Sequence, residues 1–479
     1  MSKLWRERQK FRQPSAPPHP SSISHARAAD MMVDLTYLEF YAGIGGWGYA
    51  LELALRNVAS SSSLKPRLLG AYDHSDLCKT VFNHNHDNKK LFRQTPIEKI
   101  TQRQLETLSA HIWCMSPPCQ PHTRQHSNQQ CELDDPRSKS FLHLCDMIGA
   151  MDESTLPCLI LLENVVGFEL SGTEIQTCEE SKPDQQHQQQ QKRRGSFQIW
   201  REVLTRRGYR NAHFHLDPND VGIPNTRPRH YTVAFRPGSL HSKAKGATMS
   251  AQLNSVDTLA NLFTREILDK PPIIHGPESL GGTPNTLPCI GEYLDADCKI
   301  EPSLLRIPEK IWSSSSAWCF DVITPLHHRS ACFTHSYAKY VRGTGSILYT
   351  GPLDFESNNT DEAVKTSRKR DRATAFLTST IFNLEAPDGR SFDADWSKDI
   401  DWVNDMRYLS GTEIARLMGF PVAGKSASTG DDAIDKSFRE FNFPATTSVK
   451  QQWKLLGNSL NVKVAGKVAE IGITVLFTQ

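Results

Sequence analysis

The sequence has no CxxC pair, no apolar run near the ~20 residues that a bilayer crossing demands, and almost no net charge. The missing CxxC pairs argue against a structural zinc site. The missing apolar run excludes a membrane-spanning helix. Lys plus Arg is 55 against 53 for Asp plus Glu, a formal charge of +2, so any nucleic-acid-binding surface must be local. Eleven cysteines lie scattered from Cys78 to Cys332 without a signal-peptide pattern, which speaks for reduced thiols and a place in the cytoplasm or nucleus. The basic residues around Leu4, Trp5 and Phe11 also fit a mitochondrial presequence, which Glu7 and the prolines weaken. Hydrophobic residues make up 38% of the 479, enough for a core but diluted by insertions.

What is present is organised. Residues 1–33 read as a disordered basic tail. Order begins with an apolar strand at Leu35–Phe40, followed by the glycine turn Gly43-Ile44-Gly45-Gly46-Trp47-Gly48 and a helical pattern from Tyr49 to Val58. Further apolar strands end at Asp73, Ser116 and Glu163. Near-continuous apolar strands separated by helix-length segments predict an α/β fold with a parallel sheet covered on both faces. A glutamine-rich stretch at 179–195 reads as a surface insertion. Residues 34–236 are therefore expected to form the catalytic domain, 237–405 a smaller and looser second domain, and 406–479 a return to the first. The basic stretch from Lys365 to Arg372 reads as a solvated loop.

The glycine turn says only that a nucleotide-like ligand is plausible chemistry. Gly43, Gly45 and Gly48 satisfy G-x-G-x-x-G, and Asp73 lies one strand later, where an acid takes a ribose hydroxyl. A dinucleotide, S-adenosylmethionine (SAM) or an unliganded tight turn all fit it.

Three other segments narrow the choice. Ser116-Pro117-Pro118-Cys119-Gln120-Pro121 presents a thiol in a proline-stiffened turn at the end of a buried strand. Glu163-Asn164-Val165 sets a carboxylate at the same edge. Arg227-Pro228-Arg229 offers two guanidinium groups at i and i+2 of an extended segment, suited to a carboxylate, a phosphate or a base edge. His84 and His86 read as a solvated helix end, and no metal site is predicted.

In this order the segments resemble the cytosine-C5 methyltransferase family, together with Gly457-Asn458-Ser459 near the end of the chain. A narrower resemblance is to the branch once classed with DNA methyltransferases that modifies cytosine 38 in the anticodon loop of aspartate tRNA. That branch's Cys-Phe-Thr signature stands here as Cys332-Phe333-Thr334, followed by Tyr337, Tyr340 and Gly343-Thr344-Gly345-Ser346. Two departures from the branch are His122 after the nucleophile loop and His335-Ser336 after Cys-Phe-Thr. A large N-terminal regulatory region like that of the eukaryotic DNA enzymes is not expected.

The resemblance implies a SAM-dependent methyltransferase fold with a small target-recognition domain. It makes Cys119 the nucleophile, with Glu163, Arg227 and Arg229 completing the catalytic set. SAM would lie against Phe40, Ile44, Gly45 and Gly46, with Asp73 on the ribose. Ile97 and Glu98 would lie near the adenine, and Ser116, Asn458 and Ser459 at the methionine end. Gln120, Arg124, Cys332, Phe333, Thr334 and Tyr340 would meet the substrate, with Phe333 as readily a core residue. The implied partner is tRNA, with DNA the alternative polymer, and the chain is expected to act as a monomer. A catalytically weak RNA-binding homologue and an NAD-dependent oxidoreductase are the competing readings from other classes.

Overall fold

Strands β1 (Asp34–Phe40), β4 (Ile112–Met115) and β5 (Leu159–Val165) lie side by side and parallel, as their apolar sequences predict. Beyond β1 come β2 (Lys65–Tyr72) and β3 (Phe92–Arg93), also parallel. Beyond β5 come β7 (Arg229–Phe235), β6 (Arg210–Leu216) and β8 (Ile273–His275), giving the order β3-β2-β1-β4-β5-β7-β6-β8. The computed structural model describes residues 34–58, 65–118, 138–170, 195–240, 262–263, 272–276, 287–295, 300–351, 401, 403–423 and 439–478. The N-terminal tail, nearly all of the glutamine-rich stretch and the basic segment 365–372 lie outside them.

The sheet is mixed rather than wholly parallel. β7 runs antiparallel to both β5 and β6. The connection from β6 to β7 carries only a short 3-10 turn, Pro218–Val221, so no crossover helix returns the chain in the parallel sense.

Strand parity sorts the core into two layers. Leu35, Tyr37, Ile112, Cys114, Leu159 and Leu161 face a layer built with α1 (Gly46–Val58) and α8 (Val462–Thr478). Leu38, Phe40, Trp113, Met115, Ile160 and Leu162 face the opposite layer. There α3 (Gln102–Leu108), α4 (Lys139–Ala150) and α5 (Ser196–Arg206) supply Leu105, Phe141, Leu144, Trp200 and Leu204. Helix α2 (Asp76–Asn85), capped by Ser75, covers the outer strands.

The range 237–405, read from sequence as a second domain, contributes β8 to the main sheet through pairing with β6. It also supplies β9 (Asp321–Ile323) and β10 (Ser346–Tyr349) of a small sheet completed by β11 (Met406–Arg407). Helices α6 (Gly411–Leu417) and α7 (Val449–Gly457) follow, each opened by a serine capping box at Ser410 and Ser448. The described apolar residues of this range, such as Ile290, Phe320 and Ile347, belong to the same core as α1 and α8. Among the described residues no helix is long and apolar enough to cross a membrane, and no disulfide joins the described cysteines.

Candidate active site

The functional segments meet at the carboxyl ends of β1, β2, β4 and β5, the edge where open α/β sheets bind ligands. At β1 the chain turns sharply, with Tyr41, Gly43 and Gly45 all at positive φ, Gly45 at +87°. A side chain on Gly43 would meet nothing within 4 Å, so the turn is open on that side. One on Gly46 would come within 3.0 Å of Leu460 and 3.4 Å of Ser459 Oγ, so the C-terminal motif closes directly over the glycine turn. Asp73 is tied to the same turn. Its carboxylate accepts the Gly43 N–H at 2.9 Å and the Ser75 N–H at 2.9 Å.

Phe40 presents no side-chain surface to a ligand: it is wholly buried, stacked on Tyr72 at 5.4 Å and tilted against Trp113 at 5.0 Å. Ile44 and Ile97 are also buried, whereas Glu98 and Asn458 are exposed. His84 is exposed, but His86 is not solvated as expected. Its ring stacks on Phe82 at 3.7 Å, and burial with the nearby Arg439 charge lowers its pKa to about 3.

At the centre lies Glu163. It stands inside β5 rather than just past it, paired in register with Tyr231 of β7. Its carboxylate meets Arg229 Nε at 3.2 Å. Ser116, which leaves the end of β4 next door, accepts the Trp47 indole N–H at 2.9 Å and hydrogen-bonds to Glu163. Burial pushes the Glu163 pKa up, and Arg229, Arg227 and Ser116 only partly offset it. The carboxyl therefore keeps its proton to higher pH than an ordinary glutamate. Pro117 is buried and Pro118 exposed; Cys119, Gln120 and Arg124 follow outside the described residues.

The two arginines do different jobs. Arg227 is buried and spends its guanidinium on main-chain carbonyls. It donates to Phe333 O at 2.9 Å, Gly457 O at 3.1 Å and Ser459 O at 2.5 Å. Burial lowers its pKa, with the Arg229 charge adding to the effect. Arg229 alone forms the ion pair with Glu163. Burial would lower its pKa too, but the Cys332 thiol and the Glu163 carboxylate raise it. Cys332 Sγ lies 3.4 Å from Arg227 Nη1 and hydrogen-bonds Arg229 as well, so the Cys-Phe-Thr segment enters the site through its cysteine. Phe333 is core, 1% exposed and packed edge-on against Tyr337 at 5.2 Å. Thr334 is half-buried, its N–H bonded to Thr344 O at 3.0 Å, while Tyr340 is 63% exposed.

The family model described as C-5 cytosine-specific DNA methylase matches residues 35–472. The chain belongs to this family. It is thus a cytosine-C5 methyltransferase. It is 28% identical to human tRNA (cytosine(38)-C(5))-methyltransferase, over 92% of this chain and 99% of that one. It is 27% identical to the Schizosaccharomyces pombe protein of the same name, over 90% and 94%. A Dictyostelium discoideum DNA (cytosine-5)-methyltransferase matches at 26%, over 92% and 94%. Among solved structures, S. pombe Dnmt2 methyltransferase aligns with a TM-score of 0.55 at 26% identity, covering 92% of this chain and 98% of that one. A Spodoptera frugiperda DNMT2 mutant gives 0.59 at 24%, covering 91% and 99%, which supports the fold.

Three residues of this methyltransferase were not singled out from its sequence. Glu39, buried in β1, accepts the Trp47 N–H at 3.0 Å and so occupies the N-terminus of α1 from below. Trp47 links that carboxyl to Ser116 and hence to Glu163. Asn225, fully buried, donates to Ser330 Oγ and Ala331 O, both at 3.0 Å, and thereby sets the approach to Cys332. A charged residue inside the apolar strand Leu38-Glu39-Phe40 was the one available signal.

Proposed function

We propose that this methyltransferase acts on cytosine in tRNA, at the anticodon loop of aspartate tRNA, with SAM as donor and Cys119 as nucleophile. The observation that carries the reading is the Arg227 clamp. It holds the Cys332–Phe333 segment, which resembles the tRNA branch's signature, against the Gly457–Ser459 motif beside Glu163. The human and S. pombe relatives, both named as tRNA methyltransferases, support the same polymer. An unpaired loop base also costs less to extrude than one in a duplex, by up to about a few kcal/mol. Exposed Tyr340 is suited to stacking on such a base.

The space beside Gly43 supports a seat for the methionine part of SAM at the glycine turn, with Asp73 taking the ribose and Ser459 on the far side. SAM, when bound, supplies the methyl group that carbon 5 takes up. The chain's own residues make carbon 5 able to accept it. The Cys119 thiolate forms a bond to carbon 6, and the electron pair of the 5,6 double bond moves toward N3, where Glu163 provides a proton. Arg229 holds Glu163 in place and limits how far burial raises its pKa. As carbon 5 takes the methyl group, the N3 proton returns to Glu163; carbon 5 then gives its proton to a base, the 5,6 double bond re-forms and the thiolate leaves.

The test is transfer of labelled methyl from SAM to total tRNA and, separately, to duplex DNA, with Cys119→Ala alongside. Label in tRNA that vanishes in the variant is the expected result. Label in DNA alone would move the enzyme to the activity named for its Dictyostelium relative.

A further inference from the structure

We propose that Glu169, His215 and His230 form a binding site for a divalent transition metal of the zinc class, on the face of the sheet opposite Glu163. The three offer ligand atoms that all lie within 4.8 Å of one another. His215 comes from β6 and His230 from β7, which are paired in register, while Glu169 comes from the turn Phe168–Leu170 after β5.

Geometry and burial both point to a ligand. His215 Nε2 lies 3.2 Å from Glu169 Oε1, and His230 Nδ1 lies 3.4 Å from Oε2. Ligands of a tetrahedral ion with bonds of about 2.0–2.1 Å are separated by roughly this much, near 3.3 Å. Neither nitrogen has hydrogen-bond alignment with any partner, and the His230 side chain is 0% exposed. A half-buried carboxylate beside two imidazole nitrogens that lack a hydrogen-bond partner is an arrangement that a cation would satisfy.

The surroundings match. His230 Nε2 lies 3.3 Å from Thr232 Oγ1, a partner that leaves Nδ1 free to coordinate. Imidazole with carboxylate suits zinc, cobalt or nickel rather than calcium or magnesium, which take oxygen ligands. Three protein ligands leave a position for water. His275, packed on His215 at 5.1 Å, stands nearby on β8. Sequence reading missed the site because its ligands come from three elements with no short spacing.

The test uses the full chain, stripped with chelator and titrated with Co2+ and then Zn2+. Expected are one tightly bound Co2+ per chain, visible d–d bands without thiolate charge transfer, displacement by Zn2+, and a Tm raised by zinc. Glu169→Gln and His215→Gln should each weaken binding at least tenfold, and Thr232→Val should weaken it about 10–100-fold. If the ligand variants fail to fold, the wild-type spectrum and Thr232→Val decide. No d–d bands and no zinc-dependent Tm shift in the wild type would overturn the proposal. So would thiolate charge transfer, or binding undiminished in the variants.

Discussion

Arg229 and His230 are neighbours on β7 whose side chains leave the sheet on opposite faces, Arg229 to Glu163 and His230 to Glu169. Alternation along a strand makes this unavoidable. It places a carboxylate–arginine pair and a carboxylate–histidine cluster back to back across one layer of backbone. Substituting Arg229 therefore reaches Glu163 without touching the histidines. Because Arg229 lowers the Glu163 pKa, Arg229→Gln should raise it further and move the Glu163-dependent limb of the kcat profile to higher pH. A pH series of tRNA methylation on both proteins checks the shift.

Glu163→Gln should fold normally, because burial already disfavours the charged form and the amide is nearly isosteric. On the proposed mechanism it removes the proton supplied to N3, a contribution of about 10²–10⁴ in rate for general acid–base catalysis. The expected result is a kcat loss of at least about 10²-fold with little change in Tm. An unchanged kcat would remove Glu163 from the chemistry.

Much of this was legible in sequence where the signal was local. The glycine turn after Leu35–Phe40 was visible because positive φ at Gly43 and Gly45 calls for glycine. What stayed hidden was non-local. Nothing in Arg227-Pro228-Arg229 says that one guanidinium will hold three carbonyls from segments about 100 and 230 residues away while the other pairs with Glu163. Phe40 looked like part of a ligand motif, yet strand parity sends it into the layer of Trp113 and Met115. The antiparallel sense of β7 was hidden too, since it is buried along nearly its whole length like the parallel strands of the sheet.

Gly457 closes α7 against the Cys-Phe-Thr segment so tightly that a Cβ would lie 2.1 Å from Thr334 C and 2.2 Å from His335 N. Helix propensity alone would favour alanine there by about 1 kcal/mol. Backbone atoms cannot swing aside, so overpacking should win, at about 3 kcal/mol. Gly457→Ala is expected to lower Tm by several degrees and to reduce kcat by displacing Cys332 from the arginines. Chemical denaturation beside a methylation assay measures both. A stable, fully active variant would mean that Thr334 has room to move.

Glu39 makes the stability of this enzyme pH-dependent in a direction opposite to that of a salt-bridged carboxylate. Burial raises its pKa from 4.5 to about 8, against the Trp47 N–H and the Arg439 charge, which lower it. The folded chain thus holds a proton that the unfolded chain has already released above pH 4.5. Between those values the native state binds more protons than the unfolded state, so unfolding free energy falls as pH rises from 4.5 toward 8. Above the folded pKa the loss is complete, of the order of a few kcal/mol. Glu39→Gln keeps an acceptor for Trp47 but has nothing to ionise. Its Tm should decline less from pH 5 to 8 than that of the wild type, so the variant should be the more stable protein at pH 8. Parallel slopes for the two proteins across that range would show that Glu39 titrates normally in the folded chain.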